Sequence, residues 1–201
     1  MHKIAICGKA NSGKNTVSKF IIKELRDKFK NDKALNCKYI AFADPIKAMI
    51  RVMFPTLPEK YITGSSKYRA SIIPGAFTKS GKPLTVRQLH IDLGTEIGRA
   101  YKETIWLEAF DCAFEKANQK DVVIVTDVRF KNEFDHLKKL GFYQIRLLRD
   151  DLAEVASKSN HSSEVEQDTI RDEEFDFVLN NNKTLKDLKT EVAKIVNQFK
   201  S

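Results

Sequence analysis

Hydrophobic positions along the chain fall into short strand-like runs separated by helical stripes. Lys3-Ile4-Ala5-Ile6-Cys7 is an apolar run that stops at a Gly-bearing turn, after which Val17, Phe20, Ile21, Leu25 and Phe29 recur with the period of a helix. Lys38-Tyr39-Ile40-Ala41-Phe42 predicts a second strand. Asp44-Pro45 predicts a helix start, because Asp is a good N-cap and Pro suits the first helical turn, and Pro55 and Pro58 close that helix. Residues 56–83 hold Gly, Ser, Lys and Pro with little periodicity and predict a long loop or a small irregular insertion. Thr85-Val86-Arg87-Gln88 has the spacing of a capping box and predicts a helix running towards Arg99, followed by an apolar stripe from Trp106 to Phe114.

Val122-Val123-Ile124-Val125 is apolar at every position, as a parallel strand covered on both faces requires. Lys131 to Leu140 predicts a helix stopped by Gly141, Tyr143 to Leu148 a further strand, and Phe177-Val178-Leu179 a short fifth one. From Thr184 a last helix places Leu185, Leu188, Val192, Ile195, Val196 and Phe199 on one face, which docks on the sheet. Strands alternating with helices predict an α/β fold with a mostly parallel, five-stranded sheet and right-handed crossovers.

Composition narrows the class. With 201 residues, 42% hydrophobic and 31% charged, and only 8 Gly and 5 Pro, the chain reads as one compact domain, 1–201, rather than as a disordered or fibrous segment. No run reaches the ~20 apolar residues of a membrane helix, and the N-terminus enters a strand instead of a signal peptide, so no membrane partner and a cytoplasmic location are expected. Cys7, Cys37 and Cys112 are scattered without a CxxC pair, which fits reduced packing thiols and argues against a zinc site. The net charge of +8 suits anionic partners such as phosphorylated small molecules. It is not gathered into a basic run interleaved with aromatics, and residues 154–176 are acidic, so a nucleic-acid surface is not favoured.

The candidate chemistry begins in the first turn. Gly8-Lys9-Ala10-Asn11-Ser12-Gly13-Lys14 supplies the phosphate-loop pattern G-x-x-x-x-G-K, with Asn15 and then Thr16 where Ser or Thr usually follows the lysine. Two glycines let backbone N–H groups converge, the next helix adds its positive end, and Lys14 brings a point charge to the β and γ phosphates. The bland alternative is a tight turn with a solvated lysine. A Ser or Thr hydroxyl normally ligates Mg2+ at position 15, so a metal would rely on Thr16, water and a distant carboxylate. Asp127, just beyond the apolar strand, is the candidate carboxylate, with a helix N-cap as its alternative role.

Further segments follow in a specific order. They are Gly8 to Thr16 as G-x-x-x-S-G-K-x-T, Phe42-Ala43-Asp44-Pro45-Ile46-Lys47, Leu93-Gly94-Thr95-Glu96 with Trp106, and Asp127-Val128-Arg129-Phe130-Lys131-Asn132-Glu133. His161-Ser162-Ser163-Glu164 and Asp176-Phe177-Val178-Leu179-Asn180-Asn181 complete the series. Over nearly its whole length the chain resembles the bacteriophage-type deoxynucleoside monophosphate kinases, within the P-loop nucleotide kinases. That resemblance implies a three-layer fold with helices on both faces of the sheet and a lid at about residues 150–170. It also implies ATP- and Mg2+-dependent transfer to a deoxynucleoside monophosphate, giving ADP and the diphosphate, in the host cytoplasm if the source is a phage.

In this reading Gly8, Lys9, Asn11, Ser12, Gly13, Lys14, Asn15 and Thr16 hold ATP, and Thr16 and Asp127 hold the metal. Lys14, Asp127, Arg129 and Glu133 form the catalytic set. Arg129 offers a planar fork of donors suited to phosphate, whereas an Arg129–Glu133 pair on a helix surface is the alternative. Asp44 and Lys47 follow the second strand, where such kinases hold the acceptor, and capping explains Asp44 equally well. Arg87 and Glu96 fall on the implied acceptor side or on a solvated face. His161 reads as a lid or structural residue, and Asn181 as the residue at which the family's adenine loop closes or as ordinary turn chemistry. A dephospho-coenzyme A or phosphomevalonate kinase, or a non-enzymatic nucleotide binder, would share the phosphate loop. A homodimer is compatible with all of these readings.

Overall fold

The computed structural model describes residues 1–29, 35–64, 66–118, 121–150 and 166–199. Its elements, in chain order, are β1 (His2–Cys7), α1 (Lys14–Lys28), β2 (Cys37–Tyr39), α2 (Asp44–Met53), α3 (Glu59–Thr63), α4 (Ser66–Arg69), β3 (Ile72–Phe77), β4 (Pro83–Thr85) and α5 (Val86–Ile91). A wide helical segment, Asp92–Arg99, continues α5; then come α6 (Ile105–Phe114), β5 (Val122–Val128), α7 (Lys131–Lys139), β6 (Tyr143–Leu148), a 3-10 turn at Asp172–Glu174, β7 (Phe177–Asn180) and α8 (Leu185–Asn197). They divide into two compact units, Met1–Ala41 with Ala113–Ser201, and Phe42–Cys112.

The first unit carries the five-stranded sheet, ordered β2-β5-β1-β6-β7, and every pairing in it is parallel. Ile4 pairs with Ile124 of β5 on one side, and Ile6 with Ile145 of β6 on the other. One sheet face meets α1 and α8. Ile4, Ile6, Ile124, Ile145 and Leu147 pack there with Val17, Ile21 and Leu25 of α1 and with Leu188, Val192 and Val196 of α8. β1 and β5 read as unbroken apolar runs because parallel strands are covered on both faces.

Four expectations need adjustment. β2 ends at Tyr39, although Ile40 still donates its N–H to the Ile124 carbonyl at 3.1 Å. Ile40 and Phe42 are buried beyond the strand's end, so the apolar run continues there because burial does. Asp44 is the first residue of α2, whose N-cap is Ala43. Leu185 is 65% exposed and leaves the α8 stripe, whereas Leu188, Val192, Ile195, Val196 and Phe199 are buried as expected. Residues 56–83, which lack periodicity, carry α3, α4, β3 and the start of β4. These elements are too short for a period to emerge, and β3 and β4 form a separate antiparallel ribbon.

The second unit holds that ribbon with α2 to α5 and the wide segment. Thr85 caps α5 as its spacing predicts, accepting the Gln88 N–H at 3.1 Å. Beyond Ile91 the helix widens, and the Ala100 N–H reaches the Thr95 carbonyl five residues back. No helix among the described residues is long and apolar enough to cross a membrane.

Candidate active site

β1 ends at Cys7, and the chain must turn sharply from there into α1. Two residues in the left-handed region make the turn, Asn11 at φ 63° and Gly13 at φ 102°. Asparagine enters that region at lower cost than most side chains, and glycine at none. Gly8 is required by close approach instead: a Cβ there would lie 2.6 Å from the Leu147 carbonyl of β6 and 2.9 Å from the Ser12 hydroxyl. Lys14 folds back over the loop, its Nζ donating to the carbonyls of Gly8 and, at 2.7 Å, Lys9. The Gly13 carbonyl accepts the N–H groups of Thr16 and Val17 at 2.9 and 3.0 Å, and no described side chain caps α1. Asn15 is exposed and Thr16 half-buried in that first turn.

Asn181 closes the loop from outside. Its Nδ2 donates to the Ser12 carbonyl at 2.8 Å, and its own N–H donates to the Leu148 carbonyl at 2.8 Å. A Cβ on Gly13 would lie 2.5 Å from that same Nδ2, so residue 13 must be glycine on two counts. The Asn-Asn turn is therefore a clamp between the ends of β6 and β7 and the phosphate loop. Asn182 adds a reciprocal pair with Asp150, at 2.7 and 2.9 Å.

A cleft of about 210 Å³ opens beside the loop, lined by Cys7, Gly8, Ser12, Arg146 and Gln167 among others, with Lys9 and Asp168 paired at 3.0 Å on its wall. Burial pushes the Cys7 thiol up to about 11, so it stays protonated and packs, its Sγ–H directed at the Val128 carbonyl 3.8 Å away. Arg146 is committed to structure: it donates to the Ile170 carbonyl, pairs with Asp172 at 3.0 Å and lies over the Phe175 ring at 5.3 Å.

The second component comes from β5, whose Val128 pairs with Cys7, the residue before the phosphate loop. Asp127 and Arg129 flank Val128, and both are half-buried. Asp127 lies within β5, and the work of capping α7 falls to Glu133. That carboxylate, on a residue only 3% exposed, accepts the N–H groups of Arg129 and Phe130 at 2.8 and 3.1 Å. Glu133 is thus turned inward, away from the helix surface. Spacing gives no signal for Glu166 and Gln167, which contact the same turn: the Lys131 N–H donates to Glu166 at 2.9 Å, and Gln167 donates to the Val128 carbonyl at 2.9 Å.

The structure therefore gathers Gly8 to Thr16, Asp127, Arg129, Glu133 and Asn181 at the carboxyl ends of β1, β5, β6 and β7, where ligands of open α/β sheets bind. Asp44, Lys47, Arg87 and Glu96 belong to the second unit. Asp44 accepts Lys47 Nζ at 2.7 Å, while Arg87 on α5 and Glu96 on the wide segment are exposed. The Gly94 and Trp106 pattern there has a packing cause. Trp106 Nε1 donates to the Gly94 carbonyl at 2.7 Å, and a Cβ at position 98 would lie 2.2 Å from its ring. His161 and most of the expected lid lie outside the described residues.

Two observations test whether a triphosphate suits the loop. Ser12 is 1% exposed, and its Oγ has no hydrogen-bond partner among the described residues. A buried hydroxyl left so costs about 1–3 kcal/mol, which a phosphate oxygen would offset. Gly8 and Gly13 keep side chains out of the same concavity. Thr16 and Asp127 offer hard oxygen ligands of the kind Mg2+ takes, in the small number usual where phosphates complete its shell.

Comparison with known proteins gives three findings. The model of a family described as deoxynucleotide monophosphate kinase matches residues 59–192. A protein of Acanthamoeba polyphaga mimivirus, provisionally named a deoxynucleotide monophosphate kinase, is 28% identical over 204 residues, covering 96% of this chain and 95% of that one. The crystal structure of TT1252 from Thermus thermophilus aligns over 100% of both chains at 16% identity and a TM-score of 0.48.

Proposed function

The chain belongs to the deoxynucleotide monophosphate kinase family and is a phosphotransferase, and from that premise we propose that it transfers the γ-phosphoryl group of ATP to the phosphate of a deoxynucleoside monophosphate. A phosphate oxygen of the acceptor bonds to the γ-phosphorus as the bond from that phosphorus to the β-phosphate oxygen breaks, leaving ADP and a deoxynucleoside diphosphate. The observation that carries the reading is the pairing of Val128 with Cys7, which puts the Asp127–Arg129 turn on the strand beside the phosphate loop.

Each residue has a role in this proposal. The amides of residues 8–14 and the Ser12 hydroxyl bind the donor's phosphates, Lys14 exchanges its loop carbonyls for phosphate oxygens, and Asn181 keeps the loop in shape. Thr16 and Asp127 would hold Mg2+, which when bound would supply neutralisation of the charge that develops on the phosphates. Arg129 presents its fork to the acceptor or to the transferring group, and Glu133 acts through the turn that it caps. On the acceptor side the proposal assigns Asp44, Lys47, Arg87 and Glu96. Rate arises from positioning and fixed charge rather than from a strong base, as phosphoryl transfer requires.

An ADP-release assay with ATP and Mg2+ tests the reading against panels of deoxy- and ribonucleoside monophosphates, dephospho-coenzyme A and phosphomevalonate. Turnover with at least one deoxynucleotide is expected. Turnover confined to either of the last two acceptors would replace the proposal.

A further inference from the structure

Four backbone groups around Arg129, from the Val128 carbonyl to the Lys131 N–H, are each paired with a side chain. The Val128 carbonyl accepts from Gln167 Nε2 at 2.9 Å, the Arg129 and Phe130 N–H groups donate to Glu133 at 2.8 and 3.1 Å, and the Lys131 N–H donates to Glu166 at 2.9 Å. Backbone polar groups at the end of a strand and the start of a helix lack ladder or intrahelical partners, and buried ones must find others. Glu133 meets that need locally, from the helix it caps. Glu166 and Gln167 do so from about forty residues further along the chain. Gln167 is 6% exposed and lines the cleft with Cys7, Gly8 and Lys9. Its next neighbour, Asp168, pairs with Lys9 of the phosphate loop at 3.0 Å.

We propose that Gln167 and Glu166 are positioning residues that fix the Asp127–Arg129 turn relative to the phosphate loop. The inference rests on the reading of Arg129 given above and deepens it. The geometry is that of preorganisation. The peptide between Val128 and Arg129 is gripped at its carbonyl by Gln167 and at its N–H by Glu133, so neither end of it can rotate without breaking a bond to a buried side chain. The starting direction of the Arg129 side chain is thereby set before substrates arrive. A side chain that leaves a fixed backbone has less to reorganise at the moment of transfer, and such preorganisation is the source of much electrostatic catalysis. Through Asp168 and Lys9 the same short segment also touches the donor loop, so it references both halves of the site.

A double-mutant cycle tests this. Gln167→Met keeps the side chain's length and apolar body but removes the donor to Val128. Its kcat is expected to fall about tenfold with the ATP KM unchanged within about twofold, as happens when an interaction made only in the transition state is removed. In the background of Arg129→Ala, adding Gln167→Met should slow the enzyme no further, because the two residues act through one group. A fold defect alone would multiply the two effects and would not single out kcat. A folded Gln167→Met with wild-type kcat, or effects that multiply in the double variant, overturns the inference and leaves the proposed function standing. Arg129→Ala at wild-type rate, or a wild-type protein that phosphorylates no deoxynucleotide, overturns the reading and this inference with it. Should Gln167→Met fail to fold, Glu166→Ala, at a half-buried position, is judged by the same cycle and the same outcomes.

Discussion

Two left-handed residues, Asn11 and Gly13, and the Leu147 carbonyl beside Gly8 shape most of the phosphate loop. Gly8 sits where β1 passes the Leu147 carbonyl, and Gly8→Ala forces a methyl group to 2.6 Å from that backbone atom. Overpacking of this kind costs about 1–3 kcal/mol, so the variant is expected to lower the melting temperature and to weaken ATP binding together. Asn181→Ala separates the two effects. It removes the clamp on the Ser12 carbonyl without adding bulk, and the ATP KM is expected to rise about fivefold while kcat stays within about twofold of wild type; an unchanged KM would show that the loop holds its shape unaided. Cys7 gives a pH signature. Its thiol is raised from 9.0 to about 11 by burial, so the folded chain retains a proton that the unfolded chain releases above pH 9.0. Stability from this site is complete below that window and is lost as pH rises towards about 11. Denaturant midpoints should fall over that range, less so in Cys7→Ala, and equal slopes would contradict the assignment.

Among the elements, the five parallel strands are legible because each lies in a stretch rich in apolar residues, and β1 and β5 hold unbroken apolar runs at Ile4–Cys7 and Val122–Val125, a pattern that is hard to mimic. The run at β2 extends past the strand's end at Tyr39 because a chain that stays buried after leaving a sheet looks like one that has not left it. The segment from 56 to 83 is opaque for the opposite reason: α3 and α4 are five and four residues long, shorter than two helical turns. The wide segment Asp92–Arg99 reads as ordinary helix, since widened turns leave no clear mark on apolar spacing. Its second glycine, Gly98, is explained by Trp106. Gly98→Ala would bring a methyl group within 2.2 Å of that ring, so a loss of stability of about 2 kcal/mol, read as a lower melting temperature, is expected, and a neutral effect would contradict the packing role. In the site, the glycines, Lys14, Asp127 and Arg129 are legible from motif and context. The outward clamp of Asn181 and the grip of Glu166 and Gln167 are not, because their partners are backbone atoms far away in sequence, which impose no residue spacing.

For the whole molecule, family membership makes the chain a phosphotransferase, and a net charge of +8 and an open sheet with a glycine-bearing first turn support the proposed phosphate site. The central claim is transfer from ATP to a deoxynucleoside monophosphate. Its most direct measurement follows the label from γ-phosphate-labelled ATP, with Mg2+ and each deoxynucleoside monophosphate in turn, by separating the products. Label in the β position of a deoxynucleoside diphosphate, in amounts matching the ADP formed, is the predicted result. Label that remains in ATP, or that appears only in inorganic phosphate with every deoxynucleotide, would contradict the proposed transfer.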